Sequence, residues 1–193
     1  MPSGRTHDRI TLWSLPWVTG TTLALSRNSN ITLLLSAGFL FSGLMFGPDL
    51  DIYSRQFIRW GILRPFWIPY QKAFRHRSFF SHGLIIGTVI RCIYLFVPVI
   101  LILFILINMG GWLGIIKINW PKITMEIGRS LSKYPAYWLS LFIGLELGAF
   151  SHSISDWGTS TYKKYKTRGL QSILPKFGKK KRSRKTKKVN RRS

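Results

Sequence analysis

Four stretches of the chain are nearly free of charge: Ile10–Leu25, Ile31–Phe46, Gly83–Met109 and Tyr137–Phe150. The third contains CIYLFVPVILILFILINM, 18 residues from Cys92 without a charge, about the length that reads as a membrane span. The other three hold 14 to 16 residues. That is short for a hydrocarbon core of roughly 30 Å, so they read as tilted or incomplete spans, or as buried helices of a soluble bundle. The third stretch tips the reading towards lipid. The pattern predicts an all-α chain of about four apolar helices forming a multi-pass membrane bundle.

Between these stretches lie a polar, aromatic loop, Gly47–His82, and a second loop, Gly110–Ala136, with GGW and two prolines. The first stretch follows a short basic start but lacks a small-x-small cleavage site, so it is expected to be retained rather than removed as a signal peptide. No acidic residue follows Asp156, and from Lys163 onward the tail carries 15 of the chain's 29 Lys and Arg. So charged a block cannot bury enough apolar surface to fold alone. The expected organisation is a helical membrane domain over 1–160 and a basic, disordered tail over 161–193.

Charge then sets an orientation. Up-and-down threading puts the N-terminus, the Gly47–His82 loop and the tail on one face, with 23 basic residues, against five on the other. The positive-inside rule makes the crowded face, and with it the C-terminus, cytoplasmic, in an inner or plasma membrane. In a soluble domain, 29 basic against six acidic residues would indicate a nucleic-acid binder. Here the mean hydropathy stays positive despite that charge, which argues for lipid.

The chain has one cysteine, Cys92, which excludes an intrachain disulfide and a thiolate zinc site. A metal would need histidine and carboxylate ligands. All four histidines and all four aspartates fall at segment ends that the threading assigns to the same face: His7-Asp8 before the first, Asp49 and Asp51 in GPDLD after the second, His76 and His82 in FRHRSFFSHG before the third, His152 and Asp156 in HSISD after the fourth. His152 and Asp156, at i and i+4, project from one helical face and suit a shared ion. His76 and His82 are six residues apart and cannot share a helical face. They converge only with His76 in the loop and His82 opening a helix, capped by Ser78 or Ser81. Glu146, inside LFIGLELGAF, needs a partner: the metal site or Arg91, the other charge within an apolar stretch.

The order PDLD, RHRSFFSH, HSISDW, with the opening MPSGRTHD, resembles a bacterial group of metal-binding membrane proteins, related to the YdjM-like membrane-bound metal-dependent hydrolases. A more distant likeness is to zinc-dependent phospholipase C and P1-type nucleases. The resemblance covers residues 1 to 160. It implies a divalent metal site, zinc first and manganese or iron with the same donors, held by His7, Asp49, Asp51, His76, His82, His152 and Asp156. Four histidines are few for a three-zinc site, which leaves the number of ions open.

For a hydrolase of this kind, metal-bound water supplies the nucleophile. Asp51 or Asp8 is the candidate general base. Arg75 and Arg77 flank His76 and are candidates to bind a phosphoester substrate. The alternative is a non-catalytic protein in which metal staples the helix ends together. Beyond membrane lipids, the expected partner of the polybasic tail is anionic lipid or nucleic acid.

Overall fold

The computed structural model describes residues 4–169, and among them every regular element is helical. In chain order these are α1 (Gly4–Ser26), α2 (Ser29–Leu44), a 3-10 turn (Pro48–Asp51), α3 (Arg55–Ile58), a 3-10 stretch (Gly61–Trp67), α4 (Ile68–Ala73), α5 (Phe79–His82), α6 (Ile86–Trp112), α7 (Trp120–Lys133) and α8 (Pro135–Arg168). The chain divides into two units, residues 1–159 and 160–193. All the chemistry described below lies in the first.

The four apolar stretches become α1, α2, α6 and α8, but among the described residues only two helical stretches are long and apolar enough to cross a membrane, Ser29–Asp51 and Ile86–Trp112. α1 is diluted by Thr19, Thr21 and Thr22, and α8 turns polar after Phe150. Helix α8 also continues to Arg168, past the expected start of the tail at 161; residues 170–193, most of that tail, lie outside the described residues.

Close approach of α8 to α2 depends on missing side chains. Gly144, Gly148, His152 and Asp156 recur every four residues and form one stripe along α8. A Cβ at Gly148 would lie 2.5 Å from the Phe39 carbonyl oxygen, and one at Gly144 would overlap the Leu35 carbonyl. This is the small-xxx-small packing of helices that meet backbone to backbone. The same stripe therefore carries His152 and Asp156 to the C-terminal end of α2. On the other side of α2, Gly43 lets Thr11 of α1 pack against it, which brings in His7, one turn before Thr11.

The Gly47–His82 loop holds most of the buried aromatic core. Phe46, Leu50, Phe57, Trp67 and Tyr70 are buried together, with Phe66, Phe74 and Tyr94 packed against them. Polar bonds then fix the loop's backbone: Gln71 Nε2 donates to the carbonyls of Leu50 and Ile52 at 3.0 Å each, and Trp60 Nε1 to that of Met45 at 2.9 Å. The Pro48–Asp51 turn, which carries Asp49 and Asp51, is thus clamped from both sides.

The second loop is largely helix. α7 starts at Asn119, whose side chain accepts from Lys122 N at 3.0 Å, and places Pro121 in the first turn, where its missing N–H does no harm. Trp120, Ile123, Ile127 and Leu131 share one face, with Lys122, Glu126, Arg129 and Lys133 opposite. A reading based on long apolar runs misses such an element, because its signal is periodicity.

Candidate metal centre

His76 and His82 meet because the chain turns back sharply between and after them. His76 sits in a turn, followed by Arg77 with φ +61°. Ser78 caps α5 by accepting from Ser81 N at 3.3 Å, and His82 closes that one-turn helix rather than opening the long one. A γ-turn at Ile85 (φ 65°, ψ −57°) then leads into α6, with Ile86 N donating to the Leu84 carbonyl at 2.7 Å. A β-branched residue with positive φ is strained. Glu146 Oε1 holds the turn in place, accepting from Ile85 N at 2.8 Å. Glu146 is therefore neither in the histidine cluster nor in an ion pair with Arg91.

The result is that the His76 and His82 rings stand 5.1 Å apart, edge to face. Asp51, its side chain fully buried, lies between them: Oδ1 is 2.9 Å from His76 Nδ1 and Oδ2 is 3.5 Å from His82 Nδ1. Ser81 Oγ is 2.9 Å from the same His82 Nδ1, and the Ser81 carbonyl accepts from the buried Arg91 at 2.9 Å. Ser81 and Arg91 thus set the ring of His82. Sequence reasoning had no signal for this role, because Arg91 lies nine residues away in an apolar run.

On the neighbouring side, His7 and His152 stack with ring centroids 4.0 Å apart, and His7 Nε2 is 3.3 Å from Asp156 Oδ1. All three are buried. Burial, followed by the charge of His152, lowers the pKa of His7 from its ordinary value. His7 is therefore neutral at neutral pH, the form that ligates.

Seven of the ten candidate residues come together in these two groups: Asp49, Asp51, His76 and His82 in one, His7, His152 and Asp156 in the other. Within each group, one candidate ligand atom per residue lies within 4.8 Å of the rest. Arg77 reaches the edge, its Nη2 3.9 Å from Asp156 Oδ2. Arg75 is exposed and takes part only through its carbonyl, which accepts from Ser78 N at 3.0 Å.

The two carboxylates expected as general bases sit in different surroundings. Asp8 is held by two guanidiniums, Arg55 Nη1 at 2.8 Å and Arg59 Nη2 at 2.7 Å, as their shared counter-ion. Asp51 has no exposed side-chain surface and faces two imidazoles.

The donor set fits an ion. His7 Nδ1, Asp49 Oδ1, Asp51 Oδ2, His76 Nε2, His82 Nε2 and both ring nitrogens of His152 are buried without a hydrogen-bond partner. Each such atom costs about 1–3 kcal/mol if left alone. So many in one place describe coordination positions rather than a hydrogen-bonded core. A family model described as uncharacterized metal-binding protein (DUF2227) matches residues 2–166.

The chain belongs to this metal-binding family. The match spans both ligand groups, from His7 to Asp156. No curated protein matches the chain, and no solved structure does. The family carries metal binding and no hydrolase assignment, so the YdjM-like and phospholipase C-like resemblances draw no support from it.

A cavity of about 320 Å³ opens against this cluster. His7, Asp49, His152 and Asp156 form one wall, and Tyr53, Ser54, Arg55 and Gln56 another.

Proposed function

We propose that the chain is an integral membrane protein whose cytoplasm-facing His/Asp cluster binds divalent metal, zinc first, and hydrolyses phosphoesters. The observation that carries the reading is the set of partnerless buried imidazole and carboxylate atoms, of which those of His7, Asp49 and His152 line the cavity. The ligands would be the seven residues of the two groups. A bound divalent metal would supply Lewis acidity and hydroxide near neutral pH.

The chain's own residues supply the rest. Arg55 and Arg59 share the single carboxylate of Asp8, which leaves a net positive charge beside the cavity. Arg77 adds another at the cluster's edge, with half of its side chain exposed. These forked donors match a phosphate. Arg55 and Arg59 thereby join Arg77 in the substrate-binding role, and Arg75 drops out of it.

Membrane insertion is supported by α6, in whose apolar stretch only 6% of residues are buried, so the protein itself leaves it almost uncovered. The apolar stripe of α7 supports it too, with Ile127 and Leu131 more than half exposed. A basic helix face over an apolar one suits a bilayer surface. The proposed orientation rests on the charge asymmetry of the sequence, and the tail's proposed partner is anionic lipid or nucleic acid.

A metal that only staples the fold is the second reading. It is favoured by how many elements the ligands join: α1, the Pro48–Asp51 turn, the turn at His76, α5 and α8. Metal-loaded and chelator-stripped protein, assayed side by side on soluble and lipid phosphoesters, separates the two. Turnover that disappears on stripping and returns on reloading supports hydrolysis. Bound metal with no turnover on any phosphoester leaves the staple.

A further inference from the structure

We infer that the cluster is a two-ion centre in which Asp49 is the shared, bridging ligand. The inference deepens the metal-binding reading above and rests on it. Asp49 presents its two oxygens in different directions: Oδ2 is 3.2 Å from His152 Nε2, and Oδ1 is 3.8 Å from His82 Nε2. These histidines belong to different ligand groups. One carboxylate therefore touches both.

Ligand arithmetic follows. With Asp49 counted on both sides, one position has His7, His152, Asp156 and Asp49, and the other has His76, His82, Asp51 and Asp49. Each is a set of two imidazoles and two carboxylates, which closes a tetrahedral shell and leaves room for water only on an ion of five or six ligands, such as manganese. All seven residues around one ion would exceed even octahedral coordination. Paired ions about 3.5–4 Å apart, stabilising the two oxygens of an in-line displacement, are what phosphoester-cleaving sites use.

The partnerless atoms point the same way, because they lie on both sides. His7 Nδ1 and the two nitrogens of His152 belong to one group; Asp51 Oδ2, His76 Nε2 and His82 Nε2 belong to the other. A single ion in either position would leave the opposite set buried and unpaired. Two ions reach both sets, with one of the two His152 nitrogens turned to an ion.

The test uses the full chain, purified in detergent and loaded with Mn2+ alone. Elemental analysis is expected to give two equivalents, and electron paramagnetic resonance an exchange-coupled signal instead of that of an isolated ion. The double variants His7→Ala/His152→Ala and His76→Ala/His82→Ala should each keep one equivalent and lose the coupling. Asp49→Asn, a near-isosteric change, should abolish the coupling without needing either half to be emptied by truncation. One equivalent in the wild type, with an isolated-ion spectrum, overturns the two-ion inference while leaving metal binding intact. No bound metal in the wild type overturns the metal-binding reading itself, and this inference with it.

Discussion

Asp51 holds His76 by its Nδ1, at 2.9 Å, and so leaves His76 Nε2 as the ring's free donor. Carboxylates that fix a histidine in this way set its tautomer and raise its basicity, and losing one typically lowers metal affinity about 10–100-fold. Asp51→Asn removes this orientation together with the charge of a ligand, so it should weaken Zn2+ binding by at least that order, read by competition with a chromophoric chelator. Unchanged affinity would mean that Asp51 plays no part in the site.

The glycine stripe of α8 makes a mechanical prediction. A side chain at Gly148 would strike the Phe39 carbonyl, and backbone cannot yield as a flexible side chain can. Gly148→Val should destabilise the protein by about 1–3 kcal/mol, and should also lower bound metal by separating His152 from Asp49. Gly128→Val, at a glycine with open space around it, is the control that should do neither.

Glu146 separates structure from chemistry. Its carboxylate accepts from Ile85 N at the strained turn and is not in either ligand group. Glu146→Leu should cost about 1–3 kcal/mol in stability for the lost acceptor, while metal equivalents stay at the wild-type number. A loss of metal at unchanged stability would instead place Glu146 among the ligands.

His7 gives the pH dependence a sign. Its pKa in the fold lies below the ordinary 6.5, chiefly through burial and then through the charge of His152. Below pH 6.5 the unfolded chain therefore takes up a proton that the folded chain resists, so stability falls as pH falls through that window and is fully present above it. Metal-free protein should melt at a lower temperature at pH 5.5 than at pH 7.5. His7→Gln should reduce that difference.

Helix α7 is a test of the membrane reading. With Cys92 replaced by Ser the chain has no other thiol, so Ile127→Cys and, separately, Arg129→Cys can carry an environment-sensitive dye. In anionic vesicles the dye at 127 should report an apolar setting and the dye at 129 a wet one. Two wet positions would remove the support that α7 gives to insertion.

The rarity of histidine and aspartate made much of the site legible in advance. In a chain where these residues are scarce and fall at the ends of apolar stretches, alternating helices carry them towards one end, and helix length does that work. The i, i+4 spacing likewise placed His152 and Asp156 on one face of α8. Helix α7 was missed because its apolar residues are spread over a face rather than gathered in a run, and the ion pairs of Asp8 were not foreseen because nothing local links it to Arg55 and Arg59, 47 and 51 residues away.

By itself, then, the sequence determined that the chain is helical and which side chains are available to hold a metal, since both follow from local periodicity and residue chemistry. The tertiary structure decided how those side chains are divided. The meeting of His76 and His82 depends on positive φ at Arg77 and on the γ-turn at Ile85, held by Glu146 from a distant helix. The place of Asp49 between His82 and His152 depends on how closely α2 and α8 approach, which Gly38, Gly144 and Gly148 permit and no spacing along the chain can specify.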